Sequence, residues 1–227
     1  MCGRVNVNDD KFTQALMRSL GLDGRKPRIS PDIAPGARLS IVRESEGERR
    51  LDEAVWWLLL DPKTLKPNYR YASFNCRSDK LNVPRSASFQ PFRSQRCIIP
   101  VSGFVEGLGD RKHYYQLDGK EQALALGGVY RQWLDHDSGE WRLSTAIITL
   151  PGHPRMQTIH PKSQPLILPQ SRPELITAWL DGSAKDVSEF MPLMQPCLPQ
   201  NLVVTPIDRP GSRRPVAASF ELSADAA

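Results

Sequence analysis

The stretch Arg96-Cys97-Ile98-Ile99-Pro100-Val101-Ser102-Gly103-Phe104-Val105-Glu106 decides the fold that we expect for this chain. Two apolar runs flank the pair Ser102-Gly103, which is typical of a turn, so the stretch predicts a strand, a turn and a second strand. Glu106 ends the second run beside Phe104 and Val105. A carboxylate in such surroundings is partly desolvated, which raises its pKa towards a useful acid–base range. An ordinary strand-end glutamate that faces water is the alternative interpretation, and it is favoured on these residues alone.

Further strands are predicted on both sides of this stretch, because apolar and β-branched runs alternate with clusters of Gly, Pro, Asp and Asn. Together with few helix signals, they predict an α+β fold with a largely antiparallel, barrel-like sheet and peripheral helices. We expect one domain over residues 1–222 and a flexible tail at 223–227. The predicted strands cover residues 39–43, 55–60, 96–101, 113–117, 124–130, 142–149 and 202–207.

Three helices are predicted from capping and stop signals. Asn8 or Asp9 can cap a first helix, which Gly21 would end. Ser171 begins a second, with a glutamate three residues later at capping-box spacing, and a third covers 186–194.

The charge of the chain is compatible with a nucleic-acid partner. The 227 residues carry a formal charge of +5, with a sequence pI near 9.1, which permits a polyanionic partner without establishing one. Scattered, solvated arginines are an equally good interpretation of the basic residues near the candidate reactive positions. Those residues are Arg4, Arg77, Arg85, Arg93 and Arg96.

The chain shows no sign of a membrane span or a metal site. The run 55–60 is the longest apolar stretch and is too short to cross a bilayer, and the N-terminus has no apolar leader. The four cysteines, at positions 2, 76, 97 and 197, lack metal-site spacing and predict reduced thiols. We expect a cytoplasmic monomer with no metal and no organic cofactor.

Cys2 has unusual chemistry if Met1 is removed. A free N-terminal cysteine carries an amine with a pKa of about 7.7–8.0 and a thiol of about 8.5, both partly nucleophilic near neutral pH. The amine condenses with an aldehyde to an imine, and the thiol then closes a thiazolidine ring. Gly3 has no Cβ and allows a bulky substrate to approach. A chance Met-Cys start is the alternative, and it is favoured on these residues alone.

Two further segments carry polar side chains suited to a site. In Asn75-Cys76-Arg77 an amide can orient an amine or carbonyl, and an arginine can hold a phosphate. In Ile159-His160 the histidine precedes an apolar run and could shuttle protons. Taken alone, the first segment is more often a surface turn and the histidine is more often structural than catalytic.

The order and spacing of these segments resemble the SRAP family, the SOS-response-associated peptidases, from residue 2 to about residue 207. The resemblance implies a domain that binds single-stranded DNA, removes its own leading methionine and forms a thiazolidine crosslink at abasic sites. It also implies possible lyase activity through a Schiff base, and association with the nucleoid when DNA is damaged. By position, the implied catalytic residues are Cys2, Asn75, Glu106 and His160, and the implied DNA-binding residues are Gly3, Arg4, Arg77, Arg85 and Lys162.

Several positions depart from the pattern of the family. Gly107 follows Glu106 where the family usually has a tryptophan, and the segment 161–165 after His160 is one residue longer. The aromatic wedge expected after Trp56-Trp57 is missing. Either tryptophan could stack on a base, although a core position is favoured because both lie in an apolar run.

Three other functions remain open at the sequence level. Glutamine amidotransferases also start Met-Cys-Gly, but they need an Asn-Gly element that this chain lacks. A non-covalent single-strand binding module would keep the groove without the chemistry. A conventional Cys-His peptidase would gain nothing from a terminal cysteine.

Overall fold

The computed structural model describes residues 3–226. Thirteen strands and three α-helices make up most of the regular structure of these residues, with short 3-10 segments at 78–80, 154–156 and 188–194. The strands are β1 (Val5–Val7), β2 (Ser30–Ile33), β3 (Arg38–Ser45), β4 (Glu48–Val55), β5 (Asn75–Arg77), β6 (Arg96–Val101), β7 (Gly103–Gly107), β8 (Tyr114–Gly119), β9 (Leu124–Leu134), β10 (Trp141–Pro151), β11 (Ser163–Pro165), β12 (Leu202–Ile207) and β13 (Phe220–Leu222), and the helices are α1 (Lys11–Ser19), α2 (Phe89–Ser94) and α3 (Pro173–Leu180).

Five strands form a closed barrel, because the pairing order β10–β4–β3–β6–β9 returns to β10. Four of these pairings are antiparallel, whereas β4 and β10 pair in parallel at Val55 and Ser144. The second half of β10 also pairs in parallel with β5. The predicted α+β class, with a barrel-like and largely antiparallel sheet, is confirmed.

A second sheet has the order β13–β12–β8–β7–β1–β2, and all of its pairings are antiparallel. The predicted strand, turn and strand over 96–106 are β6 and β7, and the chain changes sheet between them. A Cβ on Gly103 would lie 2.1 Å from Asp118 Oδ1 and 2.6 Å from the Leu117 carbonyl oxygen. The crossing therefore needs glycine, because any larger residue would push β7 away from β8.

β6 is buried along its whole length because both of its faces are covered. Ile98 belongs to an apolar cluster that includes Trp179 of α3, whereas its neighbour Ile99 packs in a second cluster with Phe104 and Leu117 of the second sheet. Successive side chains of a strand point to opposite faces, so one strand serves both clusters. β6 thus joins the helices, the barrel and the second sheet.

The predicted cap of the first helix is corrected by the structure. Asp10, rather than Asn8 or Asp9, is the N-cap of α1, and its carboxylate accepts from the backbone N–H groups of Phe12 and Thr13. Such a bond satisfies donors that a helix N-terminus leaves without intrahelical partners.

The other two predicted helices also differ from the structure. α3 begins at Pro173 after Arg172, with no side-chain capping bond, so the capping box predicted at Ser171 is wrong. Proline has a backbone angle that suits the first helical position. The helix predicted over 186–194 is a 3-10 segment at 188–194 with Pro192 inside it.

The strand predicted at 55–60 is also wrong. The chain leaves β4 at Val55, and the buried Trp56 and Leu58 lie in the irregular segment after it. β4 itself, with the charged sequence ERRLDEAV, was missed because most of its side chains are exposed or half-buried. Pairing of all eight residues with β3 defines this strand instead.

Arg96 is buried, with 1% of its surface exposed, and is therefore unavailable to DNA. Its guanidinium donates to the Phe92 and Arg93 carbonyls at the end of α2, and to the Trp179 and Asp181 carbonyls at the end of α3. Helix C-termini carry carbonyls without intrahelical partners and a partial negative charge. Arg96 therefore caps two helices at once.

The C-terminal segment contacts the rest of the protein up to residue 225. Asp225 accepts from the Leu198 N–H at 2.7 Å and from His153 Nε2 at 3.1 Å, and it pairs with Arg155. The hydrogen-bonded structure therefore continues beyond residue 222, where the sequence places the start of the tail. Within residues 3–226, no helix is long and apolar enough to cross a membrane.

Candidate active site

Glu106 and His160 lie together in the interior. β7 carries Glu106, which is 2% exposed, and this burial raises the pKa of its carboxyl to about 7. His160 follows the 3-10 segment 154–156, and its Nδ1 lies 3.8 Å from Glu106 Oε2 and 2.6 Å from the Gly107 carbonyl oxygen. A carbonyl can only accept, so Nδ1 donates to it and Nε2 is the basic nitrogen of the neutral ring. Burial lowers the pKa of His160, which favours that neutral ring.

β1 brings the start of the chain beside Glu106. The Val105 N–H donates to the Arg4 carbonyl at 2.9 Å, and Val5 pairs with Phe104. Gly3 directly precedes this contact and is half-buried. The predicted nucleophile, Cys2, lies outside the described residues.

Asn75 lies on β5, two residues before Arg77. It pairs with Ile147 of β10, and the next residue, Cys76, is buried, which raises the pKa of its thiol to about 12. A thiol with this pKa stays protonated at neutral pH and is a poor nucleophile. Cys76 therefore packs in the core, while Asn75 remains half-buried beside it.

Arg77 and Lys162 line one cavity of about 540 Å³, together with Ser78, Asp79 and Ser163. β5 and β11 bring them together, because each pairs with β10 at Thr149 or close to it. Arg77 forms a two-pronged ion pair with Asp79, at 2.9 and 2.8 Å. Lys162 is two residues from His160, so the cavity and the Glu106–His160 pair share one loop.

Arg85 is the predicted DNA-binding residue that the structure leaves apart. It lies in the exposed loop between residue 80 and α2, with a left-handed backbone (φ +70°). Arg85 is not among the residues that line the cavity with Arg77 and Lys162.

Neither tryptophan of the Trp56-Trp57 pair presents a face to a ligand. Trp56 is fully buried, and Trp57 is 7% exposed. The ring of Tyr69 packs on Trp57 with a centroid distance of 5.0 Å and is itself 74% exposed. The core position favoured for both tryptophans is confirmed.

Three contacts of the site were missed from the sequence: Gly107 with His160, Asp79 with Arg77, and Asp32 with Arg4. Asp79 could have been found, because it follows Arg77 by two residues. The other two contacts join different strands or loops and leave no local signal. In residues 3–226, no group of three or more His, Cys, Asp or Glu side chains is placed to hold a metal ion.

Comparisons with known proteins agree on one family. The family model described as SOS response associated peptidase (SRAP) matches residues 1–210. The chain is similar to the abasic site processing protein HMCES of Xenopus tropicalis, with 22% identity over 73% of this chain and 55% of that protein. It is also similar to the abasic site processing protein YoaM of Bacillus subtilis (strain 168), with 27% identity over 74% of this chain and 75% of that one. The chain thus spans little more than half the length of the Xenopus protein.

Two crystal structures share the fold. A protein from Bacteroides thetaiotaomicron superposes with a TM-score of 0.66 at 23% identity, covering 91% of this chain and 92% of that chain. A protein from Bordetella bronchiseptica superposes with a TM-score of 0.65 at 16% identity, covering 99% and 100%.

Proposed function

The chain belongs to the SOS response associated peptidase (SRAP) family, and we propose that it bonds covalently to abasic sites in single-stranded DNA through Cys2. One observation carries the proposal: a buried carboxyl with a pKa of about 7, that of Glu106, lies beside His160 and against the strand that leads to the N-terminus. Acid–base groups of this kind suit proton transfer near neutral pH. The resemblance of the whole chain to abasic site processing proteins supports the choice of substrate.

The bond to DNA forms in two steps. The Cys2 amine attacks the aldehyde carbon of the open abasic sugar, and loss of one water gives an imine. The Cys2 sulfur then adds to the imine carbon while its proton moves to nitrogen, which closes the thiazolidine ring. The net reaction joins protein and DNA and releases one water.

Each partner of Cys2 has one task in this scheme. Glu106 takes a proton from the Cys2 ammonium, for which a pKa of about 7 is well matched. His160, once protonated at Nε2, gives a proton to the ring oxygen of the closed sugar and so opens it to the aldehyde. Asn75 holds the amine and the forming imine in line.

The same site would first release Met1. Hydrolysis of the Met1–Cys2 peptide bond consumes one water and leaves the free amine that the crosslink requires. Glu106 is suited to this step because a desolvated carboxylate is a stronger base than one in water. If ring closure is slow, the imine can instead lose the 3′ phosphate by β-elimination, which is lyase chemistry.

DNA binding would rest on the backbone phosphates. Arg77 and Lys162 share a cavity close to His160, and Arg4 follows the N-terminal pair Cys2-Gly3, where Gly3 leaves room for the strand. Arg85 would contact a more distant phosphate from its exposed loop. Such contacts give affinity that is independent of sequence and sensitive to salt.

A crosslinking assay tests the proposal. The protein is incubated with a single-stranded oligonucleotide that carries one abasic site and is then run on a denaturing gel. We expect a stable shifted band for the wild type. Cys2→Ala and Cys2→Ser both keep the N-terminal amine but lack the thiol, so each should give at most an imine adduct that hydrolyses. Salt-labile binding without any covalent product would favour the non-covalent module and end the proposal.

A further inference from the structure

One aspartate on β2 is shared by two arginines. Asp32 Oδ2 accepts from Arg4 Nη1, and Asp32 Oδ1 accepts from Arg213 Nη2 at 2.7 Å. The three side chains together carry a net charge of +1. A carboxylate that is bound on both oxygens is less able to hold either guanidinium in a two-pronged pair.

Arg213 reaches this aspartate from a loop that is far away in the sequence. Its side chain is 15% exposed and also donates to Gln116 Oε1 of β8 at 3.0 Å and to the Val5 carbonyl of β1 at 3.4 Å. One guanidinium thus contacts β1, β2 and β8. β1 and β8 are the two neighbours of β7, which carries Glu106, and β2 lies beyond β1.

The loop around Arg213 is built to present this side chain. Asp208 accepts from the N–H groups of Arg209 and Arg214 and from the Ser212 hydroxyl. Arg213 has a left-handed backbone, with φ +52°, which is unfavourable for a residue other than glycine. A backbone in this conformation is retained only where contacts with the rest of the protein hold it there.

We propose that Arg213 is a positioning residue for DNA binding: by holding Asp32 Oδ1, it limits Asp32 to a single oxygen on the Arg4 guanidinium, which weakens the ion pair with which a backbone phosphate must compete. The inference rests on the proposed function, in which Arg4 contacts DNA. Without Arg213, Asp32 would face Arg4 alone, the pair would be neutral, and both carboxylate oxygens could bind Arg4. A phosphate would then compete with a complete ion pair for the same guanidinium.

The test measures the affinity of the protein for an undamaged, fluorescein-labelled single-stranded oligonucleotide by anisotropy at several salt concentrations. We expect Arg4→Gln and Arg213→Gln each to weaken binding roughly tenfold and to flatten the plot of log K against log salt by about 0.7, the effect of one phosphate contact. The matched control is Arg214→Gln, which removes the same charge from the same loop at an exposed position and should change affinity less than about twofold.

A second background separates positioning from a purely structural role. In an Asp32→Asn protein, Arg213→Gln should cause no further loss of affinity, because there is no carboxylate left to restrain. An undiminished loss there would assign Arg213 to holding β1 and β8 and would overturn the inference. If Arg213→Gln folds poorly, Arg213→Lys, which keeps a charged donor for Asp32, should retain most of the affinity, and a loss of roughly tenfold in this variant would contradict the inference.

The outcomes also separate this inference from the proposed function. If Arg4→Gln weakens binding but Arg213→Gln behaves like Arg214→Gln, the inference fails and the proposed function stands. If the wild type does not bind, or Arg4→Gln has no effect, the DNA-binding role of Arg4 fails and the inference fails with it. Crosslinking by Cys2 is scored separately, on the abasic oligonucleotide.

Discussion

Replacing Glu106 with glutamine should stabilise the protein above neutral pH while removing its chemistry. Burial raises the pKa of this carboxyl from a usual 4.5 to about 7, so the folded state binds the proton more tightly than the unfolded state does. Stability therefore falls as the pH rises from 4.5 to 7 and then levels off. At 1.36 kcal/mol per pKa unit, the ionised side chain destabilises the fold by about 3 kcal/mol at pH 8. Glutamine has the same shape and no charge, so the variant avoids this loss.

The assay is urea unfolding of the wild type and Glu106→Gln at pH 5 and pH 8. We expect nearly equal free energies of unfolding at pH 5 and an advantage of up to about 3 kcal/mol for the variant at pH 8. Glu48→Gln, which removes the same charge at an exposed position on β4, is the matched control and should change the free energy of unfolding by less than about 0.5 kcal/mol.

The same variant should form no crosslink while it retains Met1, and protein from which Met1 has been removed in vitro should crosslink abasic DNA about 10²–10⁴-fold more slowly than the wild type, because a general base is lost. Equal stability of Glu106→Gln and wild type at pH 8 would refute the reasoning, since it would mean that the folded protein does not desolvate this carboxylate.

Three other changes test the site and the scaffold. Arg77→Gln and Lys162→Gln should each flatten the salt dependence of single-stranded DNA binding by about 0.7 in an anisotropy titration, and an unchanged slope would remove that residue from the interface. Arg96→Leu should lower the free energy of unfolding, measured in urea, by at least about 2 kcal/mol, because the buried carbonyls at the ends of α2 and α3 lose their donor. An unchanged free energy of unfolding would argue against the capping of both helices by Arg96. In Gly152→Ala the new Cβ would meet the Pro161 carbonyl oxygen at 2.1 Å and displace the loop that carries His160. Crosslinking should therefore slow at least tenfold, which is a loss typical of a misplaced catalytic group. An unchanged crosslinking rate would show that this loop can shift without an effect on the reaction.

The sequence predicts the centre of this fold well because local signals and tertiary structure agree there. The apolar run from Cys97 to Val105 is interrupted only by Ser102-Gly103, and the protein has β6 and β7 at these positions. The burial of Glu106 follows from its neighbours Phe104 and Val105. β4 gave no such signal, because a charged strand is fixed by its pairing with β3 and not by an apolar face.

The site was harder to predict, because its contacts join residues that are far apart in the chain. His160 and Gly107 are 53 positions apart, and Arg213 and Asp32 are 181 apart. Periodicity within one strand or helix carries no information on such pairs. Arg96 shows the opposite error: a basic residue near reactive segments suggests a ligand contact, whereas its guanidinium caps two helices in the interior.

The intact mass of the purified protein, recorded before and after incubation with an abasic oligonucleotide, is the most direct test of the chemistry at Cys2. Before incubation, we expect a wild type that lacks the initiator methionine and a Glu106→Gln variant that retains it. After incubation, the wild type should gain the mass of the oligonucleotide less one water. A wild type that keeps Met1, or an equally stable adduct on Cys2→Ala, would contradict the account.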